Sequence, residues 1–126
     1  ANFSVMADSG GVAFAKRSGV LPATEDFYSF RSQGLDGALA GCARELFASL
    51  HAESGEVTSI CVFGELCGGK YPHPDVPPVP GLLPVQCGVW YSPSLQYVAF
   101  DLAVSYRGGG RRFLDFDAAR RACESA

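Results

Sequence analysis

The sequence has no surplus of positive charge. Ten Lys and Arg stand against 13 Asp and Glu, a formal net charge of −3 over 126 residues. No global basic field therefore marks a nucleic-acid binder, and a polyanion would have to be met by a local cluster of cations. No apolar run is long enough to cross a bilayer, and no basic segment opens onto an apolar one as in a secretory leader. A membrane is not expected among the partners. The five cysteines, Cys42, Cys61, Cys67, Cys87 and Cys123, are odd in number and irregularly spaced, which argues for reduced thiols and against a disulfide scaffold. Ligand spacing for a metal is lacking too. Five residues separate Cys61 from Cys67, and neither His51 nor His73 has a ligand-like residue at i+4, so no metal ligand is assigned. What remains is 48% hydrophobic and 18% charged, enough apolar material for a core and too much for a disordered or fibrous chain. The length suits one domain or a piece of a larger one. Ala1 opens on residues that read as a strand already under way, so an excised fragment is expected.

Hydrophobic spacing divides the chain. Asn2 to Met6 and Val12 to Arg17 read as two short strands joined across Asp8-Ser9-Gly10-Gly11, a good hairpin connection. Ser18 to Gln33 is irregular, with Phe27, Tyr28 and Phe30 expected to pack back on the body. From Leu35 the period becomes three and four, through Leu39, Cys42, Ala43, Leu46, Phe47 and Leu50, which predicts a helix ending near Glu53-Ser54-Gly55. Val57 to Phe63 reads as a central strand. Gly64 to Pro84, with its prolines and the Gly68-Gly69 pair, reads as loop or rigid extended chain. Gln86 to Tyr91 is a candidate short strand. Leu95 to Tyr106 alternates clearly, with Val98, Phe100, Leu102 and Val104 on one face and Tyr97, Ala99, Asp101, Ala103 and Ser105 on the other. Gly108 to Gly110 turns the chain into a returning strand at Arg111 to Phe116, and Asp117 is placed to cap a final helix. The total is an α+β domain with antiparallel pairing, not a doubly wound parallel sheet.

Several residues do not read as packing. Asp101 interrupts a core-like strand beside the small Ala99 and Ala103, where a buried carboxylate needs a partner and a ligand has room. Glu65 follows the Val57 to Phe63 strand and enters a glycine-bearing stretch, where a site group is readily held. That stretch lacks the spacing and the Lys-Ser/Thr ending of a P-loop. Lys16 and Arg17 end a strand and must point to opposite faces, so at most one can face a given cleft. Arg17 offers a planar fork to phosphate or carboxylate. Arg107, Arg111 and Arg112 flank a hairpin, where a solvated turn is the default reading and a local basic rim the functional one.

Gly64-Glu65-Leu66-Cys67-Gly68-Gly69-Lys70-Tyr71-Pro72-His73-Pro74 resembles motif III of the RNA ligase 2 family, the group that includes the trypanosome RNA-editing ligases. Ala1-Asn2-Phe3 is similar to the tail of motif I, and Phe14-Ala15-Lys16-Arg17-Ser18-Gly19 to the segment that donates an arginine near the nucleotide. Tyr91-Ser92-Pro93 followed by Phe100-Asp101 resembles the approach to motif IIIa. The four stretches occur in order and span nearly the whole chain.

The resemblance implies part of an antiparallel-sheet, ATP-grasp-like domain of the covalent nucleotidyltransferase superfamily. It implies an ATP-dependent RNA ligase, with Mg2+ or Mn2+, that seals 3′-OH and 5′-phosphate ends through lysyl-AMP and RNA-adenylate. RNA ends or a nicked RNA duplex would be the substrates, other members of an RNA-processing complex the partners, and RNA repair or editing the setting; mitochondrial residence is implied only through the family. By the same carry-over Asn2 contacts the nucleotide phosphate region, and Arg17 positions phosphate and ribose. Glu65 binds the ribose hydroxyls and Phe100 stacks on adenine. Asp101 supports the site through the nucleophilic lysine or a divalent metal. Arg17, Glu65 and Asp101 are thus the candidate catalytic residues. Strand alternation by itself puts Phe100 in the core and on the face opposite Asp101, so both reach one ligand only if a bulge or strand end reorients one of them. Motif I would place its lysine four residues before Ala1, and Lys16 and Lys70 occupy other motif positions. Motifs IV and V would lie beyond Ala126. Residues 1–126 are therefore expected to be inactive alone. Two rivals stand beside the ligase: a catalytically silent RNA- or protein-binding module with the same fold, and a relative of DNA ligases or mRNA-capping enzymes.

Overall fold

A computed structural model describes residues 1–70, 75–85 and 92–124. Its elements are β1 (Asn2–Asp8), β2 (Gly11–Lys16), β3 (Gly19–Val20), a 3-10 turn (Phe27–Ser29), α1 (Leu35–Glu53), β4 (Val57–Lys70), β5 (Ser92–Tyr106), β6 (Arg111–Phe113) and α2 (Phe116–Glu124). The six strands form one sheet in the order β3-β2-β1-β4-β5-β6, with antiparallel pairing throughout. The fold is mixed α+β, as the spacing predicts.

Alternation decides which side of the sheet is covered. Phe3, Val5 and Ala7 from β1, Ile60, Val62 and Leu66 from β4, and Leu102 and Val104 from β5 are buried. They meet the Ala40, Ala43 and Leu46 stripe of α1, the one face of that helix the three-and-four spacing makes apolar. At one end of this core Phe3 is ringed by Phe14, Phe27, Phe30 and Tyr97, with centroids 5.1 to 6.2 Å away. Phe27 and Phe30 thus pack back on the body as expected, while Tyr28 stays exposed. Arg31 holds that loop down: its guanidinium lies 4.6 Å from the Phe30 ring centroid and its Nε donates to the Glu25 carbonyl at 2.9 Å.

The returning strand spans only Arg111–Phe113, with Phe116 opening α2, and three further expectations need correction. The Val57 strand does not stop at Phe63; β4 runs on to Lys70, so Glu65 lies inside a strand and not past its end. The glycines permit this. Gly68 has φ +98°, and any Cβ there would collide with the Ser94 carbonyl oxygen, so only glycine lets β5 approach so closely. The cap of α2 is Asp115, whose Oδ1 accepts from the Ala118 N–H at 2.8 Å, with Asp117 within the first turn. The third concerns β5. Phe63 faces Asp101 while Gly64 faces Ala99, so Phe100 is an extra residue with no partner on β4. The bulge reverses the alternation. Leu102 and Val104 are buried on one side of it, whereas Val98 and Phe100 are 54% and 60% exposed, and Tyr97 turns inward instead. Phe100 is therefore not a core residue. Gln86 to Tyr91, and Tyr71 to Pro74 of the motif III stretch, lie outside the described residues.

Candidate functional site

Among the described residues no helix covers the second face of the sheet, and the ladder register orders its residues into rows, because directly opposed residues share a face. Across β1, β4 and β5 the first row is Asn2–Glu65–Val98, and the next is Ser4–Phe63–Asp101 with Ala15 of β2 beside Ser4. The third runs Ala13–Met6–Cys61–Ala103–Phe113, and the fourth Gly11–Asp8–Ser59–Ser105–Arg111. Small side chains at Ser4, Ala13, Ala15 and Ala103 leave a floor with polar groups at one end and rings along one side.

Asn2 occupies the centre of the polar end. With its amide turned so that donors meet acceptors, Nδ2 donates to Glu65 Oε1 at 2.7 Å, and Oδ1 accepts from Arg17 Nη2 at 3.0 Å and Nε at 3.2 Å. Three residues named from the sequence, far apart in the chain, are thus linked across adjacent strands. The Ala1 amino group lies 2.8 Å from the other Glu65 oxygen. The expected division between Lys16 and Arg17 holds. Lys16 turns to Glu25, its Nζ 2.7 Å from Oε2, and Arg17 turns to Asn2. A fork bound to an amide oxygen through Nε and Nη2 keeps its full charge and its remaining N–H groups for an anion.

Two adjoining hollows meet at these residues. One, of about 470 Å³, is lined by Ala1, Asn2, Lys16, Arg17, Ser18, Phe27 and Glu65, the Lys16 ammonium itself being held by Glu25. The other, of about 350 Å³, includes Asn2, Ser4, Ala15, Arg17, Phe63 and Phe100. The bulge is what delivers Phe100 here, its ring free to receive a planar group on its face. Asp101 stands apart from the linked trio. It shares a separate hollow of about 380 Å³ with Phe100, Phe116 and Arg120, and its Oδ1 accepts from the Leu102 N–H at 3.0 Å. The structure therefore brings Asn2, Arg17, Glu65 and Phe100 to two adjoining hollows and puts Asp101 in a third, which Phe100 also borders. Among the described residues no three His, Cys, Asp or Glu side chains converge to hold a metal ion.

Phe63 is the participant that sequence reasoning missed, because an apolar strand residue reads as core. Its signal was available in the alternation: Val62 and Phe63 cannot both face α1. Nearby, burial pushes the Cys61 thiol above its ordinary range, with Arg111 and the Ser4 hydroxyl opposing the shift. The four described cysteines are free thiols.

This chain is 32% identical over 118 residues to the mitochondrial RNA-editing ligase 2 of Trypanosoma brucei brucei (strain 927/4 GUTat10.1), a match covering 81% of this chain and 28% of that protein. No protein-family model matches the chain. The similarity is a distant resemblance to an RNA ligase, and the chain spans about 28% of the length of that relative.

Proposed function

We propose that this chain forms part of the adenylyltransferase domain of an ATP-dependent RNA ligase, and that the open face of its sheet receives the adenine nucleotide. The observation that carries the reading is the Arg17–Asn2–Glu65 linkage beside the exposed ring of Phe100. These are the residues that the motif resemblance assigns to phosphate, ribose and adenine. The distant match to an RNA-editing ligase agrees with it.

The groups suit the chemistry. ATP, a substrate here, would present its adenine to the face of Phe100, where stacking needs a flat, accessible ring. The ribose hydroxyls would donate to the Glu65 carboxylate. Arg17, oriented by Asn2, would place its free N–H groups against the α-phosphate and stabilise charge gathering on its oxygens as the phosphoryl bond changes hands. Asn2 therefore acts as a positioning residue, fixing both neighbours before the nucleotide arrives. The described residues do not gather a ligand set for Mg2+ or Mn2+, and no step is assigned to an ion held by them. Asp101, in the separate hollow that Phe100 also borders, would support the site from there.

Incubation of the full-length protein with α-labelled ATP and magnesium tests the reading. Acid-stable label on protein that is transferred to 5′-phosphorylated RNA is the expected result, and Arg17→Ala should lower the labelling rate about a hundredfold, within the usual range for one lost electrostatic contact. Absence of label from a folded full-length protein would overturn the reading. Preference for a DNA 3′-OH strand at a nick would move it to the DNA ligase relatives.

A further inference from the structure

Beyond the nucleotide hollow, the same face carries a second feature that the adenylylation chemistry leaves unused. Phe63 and Phe113 lie with centroids 5.8 Å apart and planes 30° apart. The Arg111 guanidinium sits 5.6 Å from the Phe63 centroid and 5.5 Å from that of Phe113. Register puts all three on the open side, Phe113 in the row of Cys61 and Ala103, and Arg111 in the row of Ser59 and Ser105. Arg112, paired with Val104, belongs to the other face and lies over Tyr106. The basic rim expected from the sequence is therefore split, and only Arg111 of its two strand arginines faces the site.

Two properties distinguish this shelf from packing. Phe113 is 52% exposed on the outermost strand, although a ring that serves only the core would be covered. Arg111, unlike Lys16 or Arg31, has no carboxylate or carbonyl partner among the described residues. Its contacts are the two rings, which hold the guanidinium plane and leave its N–H edge free. A fixed fork beside accessible rings matches the repeating chemistry of single-stranded RNA, a phosphate next to a base. Phe63 borders both the shelf and the nucleotide hollow, so the two sites are continuous.

We propose that Arg111 and Phe113, backed by Phe63, form a subsite for the RNA strand adjoining the nucleotide: Arg111 binds a backbone phosphate and Phe113 stacks on the neighbouring base. This rests on the ligase reading for its substrate, and it is tested by binding and not by turnover. The affinity of the full-length protein for a short 3′-fluorescein-labelled, 5′-phosphorylated single-stranded RNA is measured by anisotropy across a salt series. Phe113→Ala should raise Kd about tenfold, equivalent to about 1.4 kcal/mol, and Phe113→Tyr should restore it to within about twofold, since any ring stacks. Arg111→Ala should reduce the slope of log K against log salt by about 0.7, the loss of one phosphate contact on a single strand. Arg111 is exposed, so its removal leaves the core intact, and no misfolded minority alters that slope. Affinities within twofold of the unmodified protein together with an unchanged slope would assign the shelf to packing or to a protein segment and overturn the proposal. So would failure of the unmodified protein to bind the RNA. Self-adenylylation of the unmodified protein, measured alongside, reports on the ligase reading independently of these affinities.

Discussion

Asn2 shows how much one short side chain can organise. An amide carries a donor and an acceptor on one planar group, so it alone can satisfy a carboxylate on β4 and a guanidinium at the end of β2 at the same time. Aspartate there would repel Glu65, and leucine would serve neither. Because Asn2 is solvent-exposed, the linkage contributes little to stability. Asn2→Ala should therefore lower thermal stability by no more than about 1 kcal/mol, the ordinary net worth of such bonds. Affinity of the full-length protein for ATP should fall about tenfold, near 1.4 kcal/mol, because Arg17 and Glu65 lose their fixed orientation. Paired thermal melts and nucleotide titrations separate the two effects. A large stability loss with unchanged ATP affinity would make Asn2 a structural residue only. Arg17 was legible in the sequence because it is charged where a strand meets a turn; Glu65 was singled out by its glycine neighbours, although it lies inside β4. Phe63 was missed because an aromatic residue in an apolar strand reads as core, although alternation with Val62 does place one of the two on the open face.

At the level of elements the β5 bulge decides the site. A strand of regular alternation would bury Phe100 with Leu102 and leave Tyr97 outside; one extra residue opposite Phe63 and Gly64 reverses both. Packing explains why the reversal is stable. Tyr97 lies against Gly64, where a Cβ would come within 2.5 Å of its ring, and its hydroxyl donates to the carbonyls of Phe3 and Val62 at 3.0 and 3.1 Å. The bulge thus exchanges Phe100 for Tyr97 in the core. A clear stability test follows. A core Phe→Ala change costs about 3 to 5 kcal/mol, whereas Phe100→Ala should change unfolding free energy by no more than about 0.5 kcal/mol, as for other exposed positions, while weakening ATP binding. Chemical denaturation of the variant checks the first part, and a loss in the core range would return Phe100 to a packing role. The lengthening of β4 has the same character. Gly64, Gly68 and Gly69 read as a loop by composition, yet they are the residues that allow close approach of the neighbouring chain, with the Val85 N–H donating to the Gly68 carbonyl at 3.0 Å.

For the whole molecule, one face of the sheet is closed by α1 and an aromatic cluster, and the other is built of small residues bounded by charges and rings. Tyr97 ties the closed side together, and burial pushes its phenol well above its ordinary range, with the thiols of Cys61 and Cys123 and the Glu65 carboxylate adding to the shift. The sign of the pH dependence follows. The unfolded phenol ionises near pH 10 while the folded one stays protonated, so the unfolded state binds fewer protons above that pH. Stability from this group is complete below about pH 10 and declines as pH rises toward the folded value. Tyr97→Phe should flatten the loss of stability between about pH 9 and 11, at the cost of a lower plateau at neutral pH from loss of the one hydroxyl proton that the Phe3 and Val62 carbonyls share. Thermal melts of both proteins across that range check it; parallel curves would sink the assignment.

Sequence by itself determined the α+β class with antiparallel pairing, the helix from Leu35 to Glu53 and the split of Lys16 from Arg17 to opposite faces. Each depends on local spacing of two, or of three and four, residues, which a linear pattern records. Only the tertiary structure decided that Arg17, Asn2 and Glu65 meet, that Phe100 faces outward, and that Arg111 and not Arg112 turns toward the open face. These depend on register between strands distant in sequence and on a one-residue insertion in the ladder. A single unpaired residue reverses every side chain beyond it, and nothing in local periodicity announces where that residue will be.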